Sequence, residues 1–217
     1  MQTYKLYLVR HGMTAGNETG QYIGQTDIPV TTNGIKELND LRSSGIYPRC
    51  NLVFSSPLKR AVQTAEIIFP DSEIVTDPDF REIDFGAFEG KTPMELKDRE
   101  DYTKWVKGEL PAAPGGEATV DFAARLCMGV NRSLRTMMER GENEAAVVLH
   151  GGAIMTLLAV SALPRRKMKE WACGNGRGYV VRITPSLYMK SGILEVIGEI
   201  PQGGAHLING DQQKLFR

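Results

Sequence analysis

The chain of 217 residues is predicted to form a three-layer α/β/α sandwich, with a mostly parallel sheet of roughly six strands between two layers of helices. The first of three observations predicts the α/β class, and the other two are compatible with it. Short apolar runs that suit buried strands alternate with amphipathic helical stretches. Two of these runs end in a histidine followed by glycine. Hydrophobic residues make up 41% and charged residues 24% of the chain, a typical composition for a globular protein with one sizeable core.

The first part of the chain alternates strands and helices in a regular order. Residues 3–10 are rich in aromatic and β-branched types and predict a buried strand, whereas the glycines of 12–31 predict a long loop. Thr32 is expected to cap a helix that closes at Gly45. The next predicted elements are a strand, a helix and a strand, over residues 51–55, 58–69 and 73–76.

The alternation breaks once and then resumes. Segment 79–116 contains FREIDFGAFEG and a charged helical stretch, and it predicts a small cap inserted over the sheet of a single domain that spans 1–217. A helix from about Ala118 to Arg140 follows. The remaining elements are a strand, an apolar helix and two strands, over residues 145–150, 153–163, 179–184 and 193–200. The last 17 residues are polar and are predicted to be irregular.

Charge and cysteine usage narrow the function classes. Lys+Arg and Asp+Glu both number 26, and this zero net charge argues against a general nucleic-acid binder. The three cysteines, Cys50, Cys127 and Cys173, form no CxxC motif and are interpreted as idle thiols of a reducing compartment. The first apolar run is too short for a signal peptide or a membrane span, so we expect a cytoplasmic protein without a membrane partner.

His11 and His150 each end a predicted strand. Ligands of open α/β sheets bind beyond the carboxyl ends of the strands, so these two histidines are candidates for one shared site. Arg10 precedes His11, and a neighbouring cation favours the neutral, nucleophilic imidazole. The guanidinium also offers a planar fork of donors for a phosphate group. The pattern therefore indicates a site for a dianion.

Two further charged positions could belong to this site. Arg60 falls in the first turn of a helix, where an anion would offset the unfavourable helix dipole; the alternative is a solvated surface arginine. Glu82 lies among phenylalanines, whose apolar rings would raise the pKa of its carboxyl group and suit it to general acid catalysis. Spacing alone does not distinguish Glu82 from Asp84 and Glu89 in the same stretch.

Other motifs are absent or weak. The histidines lack HExxH spacing and no His/Cys cluster suits zinc, so neither a metal nor a cofactor is predicted. The glycine-rich GNGRG at residues 174–178 precedes a strand rather than a helix and is interpreted as a turn.

Four segments together resemble the signatures of the histidine phosphatases, the phosphoglycerate mutase-like superfamily. LYLVRHGMTAGN resembles the RHGxTxxN signature, and SSPLKRAVQTAEII resembles the element that carries a phosphate arginine. FREIDFGAFEG resembles the acid motif, and VVLHGG resembles the element of the second histidine. All four occur in family order within residues 3–152. Two departures are Phe80, where leucine is usual, and Met13, where glutamate is frequent and substrate preference is expected to be affected.

The resemblance implies a phosphoryl-transfer mechanism that needs no metal. His11 would attack phosphorus, Glu82 would protonate the leaving oxygen and then activate water, and His150 would help to hold the phosphoryl group. The other ring nitrogen of His11 would be fixed by the backbone carbonyl of Gly12. The implied phosphate-binding residues are Arg10, Arg60, Asn17 and Gly151.

The branch of the superfamily is also suggested by resemblance. The insertion after the acid motif is short, which favours a phosphatase over the longer cofactor-dependent mutases. YIGQTDIPVTTNG, YTKWVKG and PAAPGGEA resemble segments of the α-ribazole phosphatases of cobalamin assembly, so the expected substrate is a small phosphorylated metabolite such as α-ribazole 5′-phosphate. The alternatives are a 2,3-bisphosphoglycerate-dependent phosphoglycerate mutase and a non-catalytic phosphate-binding or scaffold protein on the same fold.

Overall fold

The computed structural model describes residues 2–45 and 47–200, and these form strands and helices in alternation. The strands are β1 (Tyr4–Arg10), β2 (Leu52–Ser55), β3 (Glu73–Thr76), β4 (Glu144–Leu149), β5 (Ala162–Leu163), β6 (Gly178–Ile183) and β7 (Leu194–Ile200). The helices are α1 (Ala15–Thr19), α2 (Thr32–Ser43), α3 (Lys59–Ile68), α4 (Pro93–Leu96), α5 (Glu100–Val106), α6 (Thr119–Arg140), α7 (Gly151–Ser161) and α8 (Pro185–Ser191).

All seven strands of the described ranges join one sheet in the order β3-β2-β4-β1-β6-β7-β5. The pairs β3–β2, β2–β4, β4–β1 and β7–β5 are parallel, whereas β6 runs antiparallel to both β1 and β7. The predicted class, a mostly parallel α/β sandwich, is confirmed. Strands β2, β4 and β1 therefore present their carboxyl ends side by side at one edge of the sheet.

Helices cover both faces of the sheet. On β1, Leu6 and Leu8 face a core that α6 and α7 complete, whereas Tyr7 and Val9 face a second core with α2 and α3. This alternation follows from the two-residue period of a strand. The central strands are buried on both sides, which explains why β4 reads as a continuous apolar run in the sequence.

Several elements differ from the sequence-based expectation. The sheet has a seventh strand, the two-residue β5, and α8 was not predicted. The expected loop over 12–31 contains α1, which begins with a capping box formed by Thr14 and Asn17. Helix α2 is capped by Thr31 rather than Thr32, because the Thr31 hydroxyl accepts the Gly34 amide at 3.1 Å. The predicted irregularity of 201–217 falls outside the described residues.

Segment 79–116 and Tyr22 together form a small hydrophobic cluster separate from the two large cores. Buried Phe88, Leu96 and Ala113 form its centre, and four partly buried aromatic residues surround them: Tyr22, Phe85, Tyr102 and Trp105. Tyr22 and Trp105 meet edge to face, with ring centroids 5.6 Å apart. The side chains that precede and follow this cluster in the chain belong to the main core, as Phe80 and Phe122 do.

The thiols of Cys50, Cys127 and Cys173 are all free of disulfide bonds. No helix within residues 2–45 and 47–200 combines the length and the apolar character that a membrane crossing requires.

Candidate active site

Three residues come together where three parallel strands end. His11, Ser56 and His150 directly follow β1, β2 and β4. Main-chain hydrogen bonds fix their spacing, because the His11 amide donates to the Leu149 carbonyl and the Ser56 amide donates to the Val148 carbonyl, both at 2.9 Å. The two imidazole rings lie with their centroids 5.2 Å apart. The two histidines therefore lie side by side, and their roles in a shared active site stay a prediction.

His11 is buried and its ring has one defined tautomer. The Gly12 carbonyl lies 2.7 Å from Nδ1, and since a carbonyl can only accept, Nδ1 carries the proton. Burial lowers the pKa of His11 well below its usual value, and the cations of Arg60 and Arg10 lower it further. The ring is therefore neutral near pH 7, with its lone pair on Nε2. Asn175 adds a hydrogen bond from Nδ2 to the His11 carbonyl at 2.9 Å.

His150 has the opposite tautomer. The Nε of Arg60 donates to its Nδ1 at 3.2 Å, and a guanidinium cannot accept, so the proton of the neutral ring lies on Nε2. That Nε2 donates to the hydroxyl of Ser56 at 2.8 Å. Burial lowers the pKa of His150 well below its usual value, and the charge of Arg60 lowers it further. The one N–H of the neutral His150 ring is therefore bonded to Ser56, in a ring that lies beside His11.

Arg60 is buried at the start of α3, with 1% of its surface exposed, so the alternative of a solvated surface arginine is wrong. Its Nη1 donates to the Thr26 carbonyl at 2.8 Å and its Nη2 to the Gly24 carbonyl at 2.7 Å. Burial lowers the pKa of Arg60. Arg60 thus orders the loop that follows α1 and directs a cation toward both histidines.

Arg10 extends from the end of β1 along the first turn of α7. Its Nη1 donates to the Cys173 carbonyl at 2.7 Å. A Cβ atom placed on Gly151 would lie 3.2 Å from Nε of Arg10, so the two residues are in close contact. Arg10 and Gly151 therefore both border the pair of histidines.

Asn17 lies on α1 and is connected to the site through Asn175. The Oδ1 of Asn17 accepts from the Thr14 amide at 3.2 Å and from Nδ2 of Asn175 at 3.1 Å. Oδ1 of Asn17 is therefore bonded to Thr14 and Asn175. The role in phosphate binding that the family resemblance implies for Asn17 stays a prediction.

Glu82 brings a carboxyl group to the amino end of α7. Its Oε2 accepts from the Gly152 amide at 2.8 Å, and its Oε1 accepts from the Ile83 amide at 3.0 Å. Burial raises the pKa of Glu82, although these two amides and the charges of Arg60 and Arg10 oppose the rise. A Cβ on Gly152 would lie only 2.6 Å from Oε1, so the close approach requires glycine at this position.

The two competing carboxylates have other partners. Oδ1 of Asp84 accepts from the Gly86 amide at 2.8 Å and so closes a local turn. Oε1 of Glu89 accepts from the amides of Gly24 and Thr26, at 2.8 Å and 3.0 Å, in the loop that Arg60 also holds. Of the three carboxylates that spacing left open, Glu82 is the one hydrogen-bonded beside His150 at the start of α7.

Sequence reasoning missed three residues of this site: Ser56, Gly152 and Asn175. Ser56 directly follows a predicted strand, and that position was the available signal. Asn175 lies in the GNGRG segment, which forms a turn as expected. Strand β6 begins at Gly178, the last residue of this segment, and pairs antiparallel with β1, so the turn reaches the edge where His11 lies.

No group of three or more His, Cys, Asp and Glu side chains suited to a metal ion occurs in the described ranges. The positive charge beside the histidines comes from Arg10 and Arg60. The predicted independence from metal ions stays a prediction.

The side chains gathered at this site are those that phosphoryl transfer requires. A buried imidazole with a free Nε2 lone pair, a second imidazole N–H, two guanidiniums and a carboxyl group of raised pKa suit phosphoryl transfer. Residues 6–189 match the family model "Histidine phosphatase superfamily (branch 1)", and the chain belongs to this superfamily. The predicted family is confirmed, and the predicted enzyme class, a histidine-type phosphatase, is supported.

Relatives include both phosphatases and mutases. The chain is 30% identical over 212 residues to "Probable phosphoglycerate mutase GpmB" of Proteus mirabilis, covering 90% of this chain and 93% of that protein. It is 30% identical over 179 residues to the adenosylcobalamin/alpha-ribazole phosphatase of Escherichia coli K12, covering 79% of this chain and 86% of that protein. The crystal structure of the alpha-ribazole phosphatase from Shigella flexneri is similar with a TM-score of 0.68 and 25% identity, covering 83% of this chain and 90% of that one.

Proposed function

We propose that this chain hydrolyses phosphate monoesters without a metal ion, through a phosphohistidine on His11. The observation that carries the proposal is the hydrogen bond from Nδ1 of His11 to the Gly12 carbonyl at 2.7 Å. It leaves the lone pair on Nε2, and the lowered pKa keeps that lone pair available at neutral pH.

In the first step, Nε2 of His11 attacks phosphorus and the bond from phosphorus to the ester oxygen breaks. The protonated form of Glu82, which burial favours by raising its pKa, donates its proton to the departing oxygen. Arg10 and Arg60 stabilise the charge on the phosphoryl oxygens. His150 contributes when its Nε2–H turns from the Ser56 hydroxyl to a phosphoryl oxygen. The products of this step are an alcohol and the phosphoenzyme.

In the second step, a water molecule cleaves the phosphoenzyme. The Glu82 carboxylate takes a proton from the water, whose oxygen attacks phosphorus while the bond from phosphorus to Nε2 of His11 breaks. Inorganic phosphate leaves, and His11 and protonated Glu82 are restored. Asn17 and Gly151 are proposed to border the phosphoryl group during both steps.

The substrate we propose is a small phosphorylated metabolite, and α-ribazole 5′-phosphate is the first to test. Similarity to the phosphatases of Escherichia coli and Shigella flexneri supports it. The second candidate is phosphoglycerate mutase activity, which the relative from Proteus mirabilis supports. Transfer of phosphate from 2,3-bisphosphoglycerate to a phosphoglycerate, rather than to water, would favour the mutase.

The test is hydrolysis of p-nitrophenyl phosphate in EDTA by the wild type and His11→Ala. We expect turnover by the wild type and none by His11→Ala. Asn39→Ala is the control, because Asn39 is an exposed residue of α2 whose side-chain amide donates to the Ile35 carbonyl at 2.9 Å. Equal hydrolysis by His11→Ala and wild type would contradict the proposal. Tight binding of phosphate esters without turnover would instead indicate a binding or scaffold protein.

A further inference from the structure

The segment that carries Glu82 lies between two short 3-10 turns, Pro78–Phe80 and Gly86–Phe88, and outside any strand or longer helix. One side chain of α6 holds its backbone. Nη1 of Arg125 donates to the carbonyls of Asp79 at 2.8 Å and Arg81 at 2.7 Å, and Nη2 donates to the carbonyl of Glu82 at 2.9 Å. One guanidinium therefore contacts three peptide oxygens of this segment.

Arg125 is itself held by Glu117, which lies in the PAAPGGEA segment. Nε and Nη2 of Arg125 lie 2.6 Å and 2.8 Å from the two carboxylate oxygens of Glu117. Only 17% and 20% of the two side chains are exposed, so solvent screens this pair less than a surface pair. The Glu117 amide also donates to the Asp84 carbonyl at 3.0 Å, on the other side of Glu82.

We propose that Arg125 is a positioning residue for Glu82, and this inference rests on the proposed function. The carboxyl group of Glu82 must meet the leaving oxygen, and its position depends on the backbone from which it extends. Gln25 also donates to the Glu82 carbonyl, at 2.7 Å, but it contacts this one carbonyl. The planar fork of Arg125 bonds the carbonyls and Glu117 at once, which a lysine ammonium cannot do.

Arg132 provides a matched control on the same helix. It lies seven residues further along α6, about two turns away. Its Nε and Nη2 bond the carboxylate of Asp77 at 2.9 Å and 2.8 Å, and it also pairs with Asp79. Arg132 therefore connects the same segment to α6 through ion pairs, but it is bonded to Asp77 and Asp79 and not to Glu82.

The test compares two leaving groups in Arg125→Met and Arg132→Met. An alkyl phosphate needs a proton on its leaving oxygen, whereas p-nitrophenolate leaves readily without one. A misplacement of about 1 Å can lower a rate about 10²-fold. We therefore expect Arg125→Met to lose about 10²-fold more kcat/KM, which does not include cleavage of the phosphoenzyme, on the alkyl phosphate than on p-nitrophenyl phosphate. Arg132→Met should change both rates by the same factor.

A double variant tests whether the effect of Arg125 on the rate is exerted through Glu82. In Glu82→Gln, where the acid is already absent, adding Arg125→Met should cause little further loss on the alkyl phosphate. Arg125→Lys should show a smaller but still selective loss, and it carries the test if circular dichroism shows that Arg125→Met does not fold.

Three results would overturn the inference: an equal loss on both substrates in the Arg125 variants, no loss, or a full additional loss in the Glu82→Gln background. If Glu82→Gln is selective for the alkyl phosphate and the Arg125 variants are not, this inference alone fails. If Glu82→Gln shows no selectivity, the role proposed for Glu82 fails, and the inference fails with it.

Discussion

Gly152→Ala is expected to disable the proposed acid while preserving the fold. The added Cβ would lie 2.6 Å from Oε1 and 2.9 Å from Oε2 of Glu82, whereas ordinary contacts begin near 3.4 Å. The carboxyl group must therefore retreat by about 0.8 Å, and a displacement of this size can lower the rate about 10²-fold. Alanine also favours helix over glycine by up to about 1 kcal/mol, so the variant should be no less stable toward unfolding.

The assay is kcat for an alkyl phosphate, measured together with the free energy of unfolding in urea. Gly198→Ala is the control, because the nearest atom to its added Cβ would lie 3.9 Å away, in Val180 on the neighbouring strand β6. We expect Gly152→Ala to be folded and about 10²-fold slower, and Gly198→Ala to match the wild type. A folded Gly152→Ala with wild-type activity would refute the close packing of Glu82 on α7 as a requirement for catalysis.

Three further predictions follow from the contacts at the site. The kcat/KM should rise with pH through the lowered pKa of His11 and fall through the raised pKa of Glu82, because the nucleophile must be neutral and the acid protonated. Thr64→Val should lower the free energy of unfolding in urea by about 1–3 kcal/mol, because the hydroxyl of Thr64 accepts a buried main-chain amide at 2.8 Å. Ser56→Ala should lower kcat/KM about tenfold, because it leaves the buried Nε2–H of His150 without its acceptor.

Each of these predictions has its own control. A flat pH profile between about pH 5 and 8 would contradict the assigned roles, and Glu82→Gln should remove the alkaline decline. Thr64→Ser should keep the hydrogen bond and most of the stability. Ser55→Ala is matched to Ser56→Ala, because Ser55 is also buried but its hydroxyl donates to the Ser56 carbonyl at 2.9 Å. Equal losses in both serine variants would count against the contact with His150.

The strand ends were predictable because their sequence signal is local. Apolar runs that finish in His-Gly gave both the buried strands and the edge at which His11 and His150 lie. The antiparallel direction of β6 was not predictable in the same way, because it depends on which strand pairs with β1 across the sheet. The sequence of the turn before β6 is typical of an ordinary glycine-rich turn. It therefore gives no sign that Asn175 contacts His11.

The sequence also could not show which carboxylate is the proposed acid, because the distinction depends on a contact between distant parts of the chain. Glu82, Asp84 and Glu89 are equivalent by spacing, and the distinction comes from the Gly152 amide, which lies 70 residues from Glu82 in the chain. Helix α1 was missed for a different reason. It has only five residues, and its capping box uses Asn17 in place of the usual glutamate or glutamine, so it is too short for a periodic signal.

The most direct test of the central claim is to trap the phosphoenzyme. Wild-type protein would be mixed in EDTA with a phosphate ester labelled in its phosphoryl group and quenched within one turnover, and the labelled peptide would be identified by mass spectrometry. The account predicts an alkali-stable, acid-labile phosphoryl group on His11, and no label in His11→Ala. Hydrolysis that proceeds with no labelled protein, or with the label on another residue, would contradict it.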